Sequence, residues 1–187
     1  MEGPSGYAVF LRPLGLDDAD SLARNANDRE ISDNMLPRGS FPYPYTKGDA
    51  MGFIEASGNA LIDGTMLNFA VCLSGTGELV GSCGIRNIDA ARRECEIGYW
   101  IGRAHRGMGY GKEAVRLLIG VAFGDIGMEL VRATVLPGNT RSLKLLQSLG
   151  FTWSSRMAGS PEAISMVLSL KNFGARSGKP VAPRLYG

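Results

Sequence analysis

The stretch RAHRGMGYGKEA, Arg103 to Ala114, sets Gly107, Gly109 and Gly111 at alternate positions among basic residues and opens directly into an apolar helical pattern. A helix N-terminus offers unpaired backbone N–H groups and the positive end of the macrodipole, and glycines there let an anion approach the chain closely. The chemistry such a loop supports is phosphate binding; the plain alternative is a surface turn. Each glycine raises the cost of ordering the segment by roughly 0.5 to 1 kcal/mol relative to alanine, which a turn has no need of. A Walker loop fails here, because Arg106 stands at its first glycine and Glu113 at its hydroxyl position. A dinucleotide fingerprint can be traced through Gly109, Gly111 and Ala114, but the next strand closes on VLPGN without an acid for a ribose hydroxyl. Arg-x-x-Gly-x-Gly at a helix start, with Arg106, Gly109 and Gly111, fits.

Other chemistry has less to build on. Cys72, Cys83 and Cys95 form no CxxC pair, and His105 is the single histidine, so no metal site is expected and the thiols read as core residues. In ECEIGYWI, Glu94 to Ile101, period-two alternation puts Glu94, Glu96, Gly98 and Trp100 on one face and Cys95, Ile97, Tyr99 and Ile101 on the other. Cys95 therefore points away from Glu96.

These residues need a scaffold, and hydrophobic periodicity supplies one. YAVFLRPL reads as a strand, followed by a helix with Asp17 as N-cap and Ala19, Leu22, Ala23 and Ala26 on one face. Thr46 with Asp49 resembles a capping box for a second helix burying Ala50, Phe53 and Ile54. LNFAVCLS and ELVGSCGIRNI, joined by GTG, predict a hairpin, and ECEIGYWI a third strand leading into the glycine loop. From Glu113, residues Ala114, Leu117, Leu118, Val121 and Ala122 recur at helical spacing. ELVRATVLP reads as a strand stopped by Pro137. Asn139 caps a helix with Ser142, Leu145, Leu146 and Leu149 on one face and Gly150 at its exit. FTWSSRM and ISMVLSL close the pattern as a strand pair.

The chain has 187 residues, 44% of them apolar and 20% charged, which suits one soluble domain. The expected domain runs from residue 1 to 170, followed by a basic Gly/Pro-rich tail over 171–187. The net charge of +2 resides in that tail: without Lys171, Arg176, Lys179 and Arg184 the remainder carries −2. The body thus lacks the basic stripe of a nucleic-acid binder, and no nucleic-acid partner is expected. The start MEGPSGYAVF has an acid and glycines where a signal peptide needs a basic and then an apolar stretch, and no apolar run is long enough to span a bilayer; a cytoplasmic protein without membrane contact is expected.

With the loop followed at the right remove by NTRSLKLLQSLGF, carrying Asn139, Gly150 and Phe151, the chain resembles the GNAT superfamily of acetyl-CoA-dependent N-acetyltransferases. LRPLGLDDADSLARNANDREI, FPYPYTKGDAMGFI and EIGYWI further resemble the ribosomal-protein N-terminal acetyltransferases of RimJ/RimL type, so the resemblance extends to about Leu170. It implies an α/β (α+β) fold: a mixed, mostly antiparallel central sheet of about seven strands with helices on both faces, in the order β-α-α-β-β-β-α-β-α-β-β. It implies acetyl-CoA as cofactor, its pyrophosphate held by the loop residues Arg106, Gly107, Met108, Gly109, Tyr110, Gly111 and Lys112. Trp100 and Ile101 would lie nearest the pantetheine arm, where the strand before the loop parts from the next. Asn139 would reach the arm, or serve simply as an N-cap.

Acetyl transfer needs a neutral amine, a proton acceptor, stabilisation of an oxyanion and a thiolate leaving group. An α-amine has a pKa of about 7.7 to 8 and is partly neutral already, whereas a lysine near about 10.4 demands a stronger base. Glu96 is the candidate base, directly or through water; the alternative is a solvent-facing strand glutamate. Many relatives carry a tyrosine acid seven positions after the asparagine, where this chain has Leu146. Ser142 fits the RimJ/RimL-like arrangement in which a serine hydroxyl faces the thiolate, or it is a buried helix serine bonded to its own backbone. A thiolate with a pKa near about 8.5 needs little help to leave, and His105 suits an exposed ionic contact beside the loop.

The resemblance lines the acceptor groove with NDREISDNMLPRGSFPYPYT, where Asp28, Glu30 and Asp33 could attract an amine. Phe41, Tyr43 and Tyr45 could line the groove or staple the second helix to the sheet. The expected reaction is acetylation of the N-terminal α-amine of a protein or peptide by direct attack. A small-amine acetyltransferase (antibiotic or polyamine) and a non-catalytic acyl-CoA-binding regulator, kept open by Leu146, are the alternatives. A homodimer also stays open.

Overall fold

A computed structural model describes residues 7–156 and 162–177 of the chain. Its strands form one seven-stranded sheet in the order β1-β2-β3-β4-β5-β7-β6. The chain divides into two compact units, residues 1–84 with 99–115 and residues 85–98 with 116–187.

In the first unit, β1 (Val9–Pro13) pairs antiparallel with β2 (Leu67–Leu73), from Val9↔Leu73 to Pro13↔Phe69. Between them lie a short 3-10 turn (Leu16–Asp18), α1 (Ala19–Ala26), α2 (Arg29–Asn34) and α3 (Lys47–Ile62). α1 buries Ala19, Leu22 and Ala26 of the stripe its periodicity predicts, with Ala23 half-buried and Asn25 buried beside them. Its cap differs from expectation. Asp17 falls within the 3-10 turn, and Asp18 precedes the helix with its carboxylate turned to the Gly15 amide at 2.9 Å and to both ends of the Arg12 guanidinium at 2.7 and 2.6 Å. Such a fork is stronger than a solvent-exposed cap bond, so the carboxylate stays with it. α3 has the expected capping box, in which Thr46 accepts from the Asp49 amide at 3.2 Å and its own amide donates to Asp49 at 2.8 Å.

α2 has no counterpart in the sequence reading. It is six residues long with only Ile31 buried, too short to show a period, and it starts at Asp28, whose carboxylate accepts from the Glu30 amide at 2.9 Å. β2 turns into β3 (Leu79–Asp89) with the Leu73 amide donating to the Glu78 carbonyl at 2.9 Å. The core of this unit gathers Leu22, Ala50, Ile54, Ala70, Cys72 and Leu79, with Phe41, Phe53 and Trp100 against it. A fully buried leucine such as Leu22 contributes about 1.5 to 3 kcal/mol here.

β4 (Glu94–Ile101) matches its expected bounds and leads through a 3-10 turn (Arg103–His105) to α4 (Tyr110–Gly120). In the second unit, β4 pairs parallel with β5 (Leu130–Val135) from Glu94↔Leu130 to Ile97↔Ala133, four residues short of the end of β4. β5 pairs antiparallel with β7 (Ile164–Ser169), and β7 with β6 (Thr152–Arg156), whose register shifts between Trp153 and Arg156. The helix after β5 is α5 (Thr140–Ser148). Gly150 ends it at φ 97°, its amide donating to Gln147 at 3.0 Å and that of Phe151 to Leu146 at 3.1 Å, a Schellman motif.

The basic tail read from Lys171 begins inside α6 (Leu170–Ser177), which docks through Phe173 on Phe123 with ring centroids 5.5 Å apart. Lys179 and Arg184, the Met157 end of the FTWSSRM strand and the N-terminal residues 1–6 lie outside the described residues.

Candidate active site

The loop before α4 adopts the geometry that its glycines permit. Gly107 and Gly109 sit at φ 80° and 84°, and a Cβ at either would meet nothing within 4 Å, so the loop is open on that side and only glycine adopts it without strain. Among the described residues, no chain group accepts from the amides of Gly109, Tyr110, Gly111 or Lys112. Glu113 closes the first turn, its amide donating to the Gly109 carbonyl at 3.1 Å and its carboxylate accepting from the Ala8 amide at 2.9 Å. Met108 and Lys112 are exposed. Backbone donors without a chain acceptor beside open glycines at a helix start fit a diphosphate, the group that coenzyme A would present.

Arg106 is placed otherwise. Its Nε donates to the Ile101 carbonyl at 2.9 Å and its Nη1 to Glu30 at 2.7 Å, while Nη2 stands 2.7 Å from Asp28 Oδ2. That last contact is close but off the hydrogen-bond line, leaving Oδ2 without an aligned donor. The side chain is 15% exposed. Asp28 and Glu30, read as amine attractors, thus meet an arginine, and Asp33 stands 3.7 Å from Arg29. Trp100 packs against the core with its ring 6.2 Å from Phe41, edge-on, and Phe41 stacks on Tyr45 at 4.7 Å. Phe41 and Tyr45 act as the staple; Tyr43 is half exposed. His105 lies 3.8 Å from the Glu78 carboxylate.

The second unit holds Glu96, Asn139 and Ser142. The Glu96 side chain is 13% exposed, with Arg86 at 2.8 Å on one oxygen and the Asn87 amide group at 2.9 Å on the other. Burial pushes its carboxyl up; the hydrogen bond and charge of Arg86, with bonds from Thr134 and Asn87, outweigh this and hold it below the usual glutamate value. Beside it Glu94 pairs with Arg132 at 2.7 Å. Asn139 caps α5, its Oδ1 accepting from the Ser142 amide at 3.1 Å, and Ser142 is half-buried one turn in. Leu146 is fully buried, so the position of the family tyrosine belongs to the core. Cys95 is buried too, its thiol pushed up to about 12 by desolvation and then by the Glu96 charge, a state in which it is a poor nucleophile.

The residues that sequence reasoning missed are Arg86, Asn87 and Thr134, which hold Glu96. The one signal available was alternation: Thr134 lies two residues from Arg132, itself paired across the ladder with Glu96, and so shares its face. No cluster of metal-ligating residues occurs among the described residues, and none of their helices is long and apolar enough to cross a membrane.

The acetyltransferase (GNAT) domain family matches residues 8–152. An uncharacterized N-acetyltransferase of Bacillus licheniformis, p20, is 35% identical over 144 residues, which is 76% of this chain and 78% of that protein. Among solved structures, Mycobacterium smegmatis RimJ in complex with CoA-disulfide superposes with a TM-score of 0.78 at 23% identity, covering 87% of this chain and 82% of that one. RimL, a ribosomal L7/L12 α-N-protein acetyltransferase in complex with coenzyme A, superposes with a TM-score of 0.77 at 12% identity, covering 90% of this chain and 98% of that one. At these identities the two structures share its fold.

Proposed function

Since the chain belongs to the GNAT acetyltransferase family and is an acetyl-CoA-dependent N-acetyltransferase, we propose that its acceptor is the N-terminal α-amine of a protein or peptide, acetylated by direct attack. The observation that carries this reading is the state of Glu96. A carboxylate held charged by Arg86, Asn87 and Thr134 is a weak base, and it could not readily take a proton from an amine near about pKa 10.4. An α-amine with a pKa of about 7.7 to 8 is partly neutral already at neutral pH and needs chiefly to be oriented. RimJ and RimL, which share the fold, are consistent with such an acceptor.

Acetyl-CoA supplies the activated acetyl thioester. In this reading the amides of Gly109 to Lys112 bind its diphosphate, with Gly107 and Gly109 leaving room, Met108 and Tyr110 flanking and Lys112 adding charge. The backbone at Trp100 and Ile101, together with Asn139, orients the pantetheine arm. Glu96 accepts a hydrogen bond from the acceptor's N–H or from the water that carries its proton away, and the Ser142 hydroxyl donates toward the departing sulfur. A thiol of ordinary pKa near about 8.5 needs little more, so positioning supplies much of the rate.

A panel of peptides with free N-termini, assayed beside a polyamine and an aminoglycoside by thiol release, tests the acceptor. We expect turnover on the peptides, rising with pH through the α-amine pKa. Turnover confined to the small amines would overturn the reading, and tight coenzyme A binding with no turnover on any amine would favour an acyl-CoA-binding regulator.

A further inference from the structure

We propose that Arg106, the first residue of the Arg-x-x-Gly-x-Gly motif, is a positioning residue that ties α2 to the glycine loop, and that it does not bind the diphosphate. Its planar guanidinium engages three partners on two other segments: the carbonyl of Ile101 at the end of β4, Glu30 in the first turn of α2, and Asp28 at the α2 cap. An arginine fork so committed has its donors directed inward, and turning it to a phosphate would break its contacts with both acids. Asp28 is 10% exposed, so its uncompensated charge would be held away from water.

α2 depends on this tie. Six residues are too few for a helix to persist on its own, and Ile31 is its only buried side chain. What holds its start is polar: Asp28 caps the Glu30 amide, and just before it Asn27 accepts from the Tyr45 amide at 3.0 Å. Arg106 supplies the charged anchor for that same turn. It also directly precedes Gly107, so whatever settles the amides from Gly109 onward restrains the backbone from which its side chain extends. Occupancy of the loop and order in α2 are thereby linked through one side chain, without any contact between α2 and the ligand. That α2 serves the acceptor rests on the reading proposed above; the link itself does not.

Three variants of the full chain test this: Arg106→Gln, Arg106→Lys, and the pair Asp28→Asn with Glu30→Gln. Calorimetry with coenzyme A gives the affinity, and amide hydrogen exchange over residues 29–34, with and without coenzyme A, gives the order of α2. In the wild type, coenzyme A should slow that exchange. Arg106→Gln should bind coenzyme A within about threefold of wild type, yet exchange about tenfold faster over 29–34 and no longer respond to ligand, the loss of about one charge-assisted hydrogen bond. The Asp28/Glu30 pair should behave alike, the combination of all three changes should be no worse than either, and Arg106→Lys, which keeps charge but not the fork, should fall between. Affinity lost by more than about tenfold in Arg106→Gln alone would make Arg106 a phosphate ligand and overturn the proposal. Unaltered exchange over 29–34 would overturn it equally. Should Arg106→Gln fail to fold, the Asp28/Glu30 variant still decides, because it leaves the arginine in place. On acceptor kinetics the variants should raise KM more than they lower kcat. The peptide assay on wild-type protein stands or falls separately.

Discussion

Glu96 shares its oxygens among Arg86, Asn87 and Thr134, so its charge is built in and its geometry set. Replacing it with glutamine keeps the shape and removes the charge. Glu96→Gln should lower turnover at least about tenfold with coenzyme A affinity little changed, the size of one lost charge-assisted bond; steady-state kinetics beside calorimetry checks it, and full activity would strip Glu96 of its role. Arg86→Gln leaves the burial of Glu96 opposed by less, so its carboxyl must rise. The pH–rate profile of that variant should gain an inflection on the acid side that the wild type lacks. Alternation along ECEIGYWI was enough to single out Glu96 in the sequence and to turn Cys95 away from it. It could not show the clamp, because Arg86 and Asn87 belong to the preceding strand, and which residues of two strands meet depends on register, which a single strand's pattern does not contain. Arg106 is a similar case: the motif spacing is legible, but a side chain's choice between a ligand and two acids far back in the chain is a tertiary outcome.

Elements with a long apolar period or a strong cap were the legible ones. α3 announces itself by Thr46 and Asp49, α5 by Asn139 and Gly150, and β4 by its alternation. α2 and α6 were not, the first because six residues show no period, the second because the buried Phe173 of LKNFGARS stands outside any repeating apolar pattern. The glycine loop is the element where legibility meets function. At Gly109 the φ of 84° excludes a β-branched side chain, and the space a Cβ would enter is the open side of the loop. Gly109→Val should weaken coenzyme A binding by about tenfold or more through loss of one or two charge-assisted bonds, and calorimetry showing an unchanged Kd would remove the loop assignment. Gly102 is constrained differently, since a Cβ there would lie 2.2 Å from the Asn25 amide oxygen, whose Nδ2 donates to the Leu79 carbonyl at 3.0 Å. Gly102→Ala should therefore lower Tm, by an amount thermal unfolding reads directly.

At the scale of the whole molecule, each unit carries at least one carboxylate held low and at least one buried acid held high. In the first, the Arg12 fork, opposed by burial, holds the Asp18 carboxyl below its ordinary 3.8, and burial pushes the Tyr45 phenol up to about 12. In the second, Glu96 is held below 4.5 and the Cys95 thiol is pushed up to about 12. A carboxyl whose folded pKa is depressed contributes stability above its unfolded pKa, and that contribution is lost as pH falls through the folded value. For a thiol or phenol whose folded pKa is raised, the folded state keeps a proton that the unfolded state has released, so stability declines as pH climbs from the unfolded value, 9.0 or 10.0, toward the folded one. The two halves give a plateau of Tm between about pH 5 and 9 with a fall on either side. Asp18→Asn should lower the plateau and flatten the acid fall, because the remaining asparagine cannot titrate; Cys95→Ala should flatten the alkaline fall alone. A Tm still level at about pH 3 would sink the carboxylate half. An alkaline fall unchanged by Cys95→Ala would assign it to the other buried groups held high, Tyr45, Cys72 and Cys83, and Tyr45→Phe then separates the phenol from the thiols.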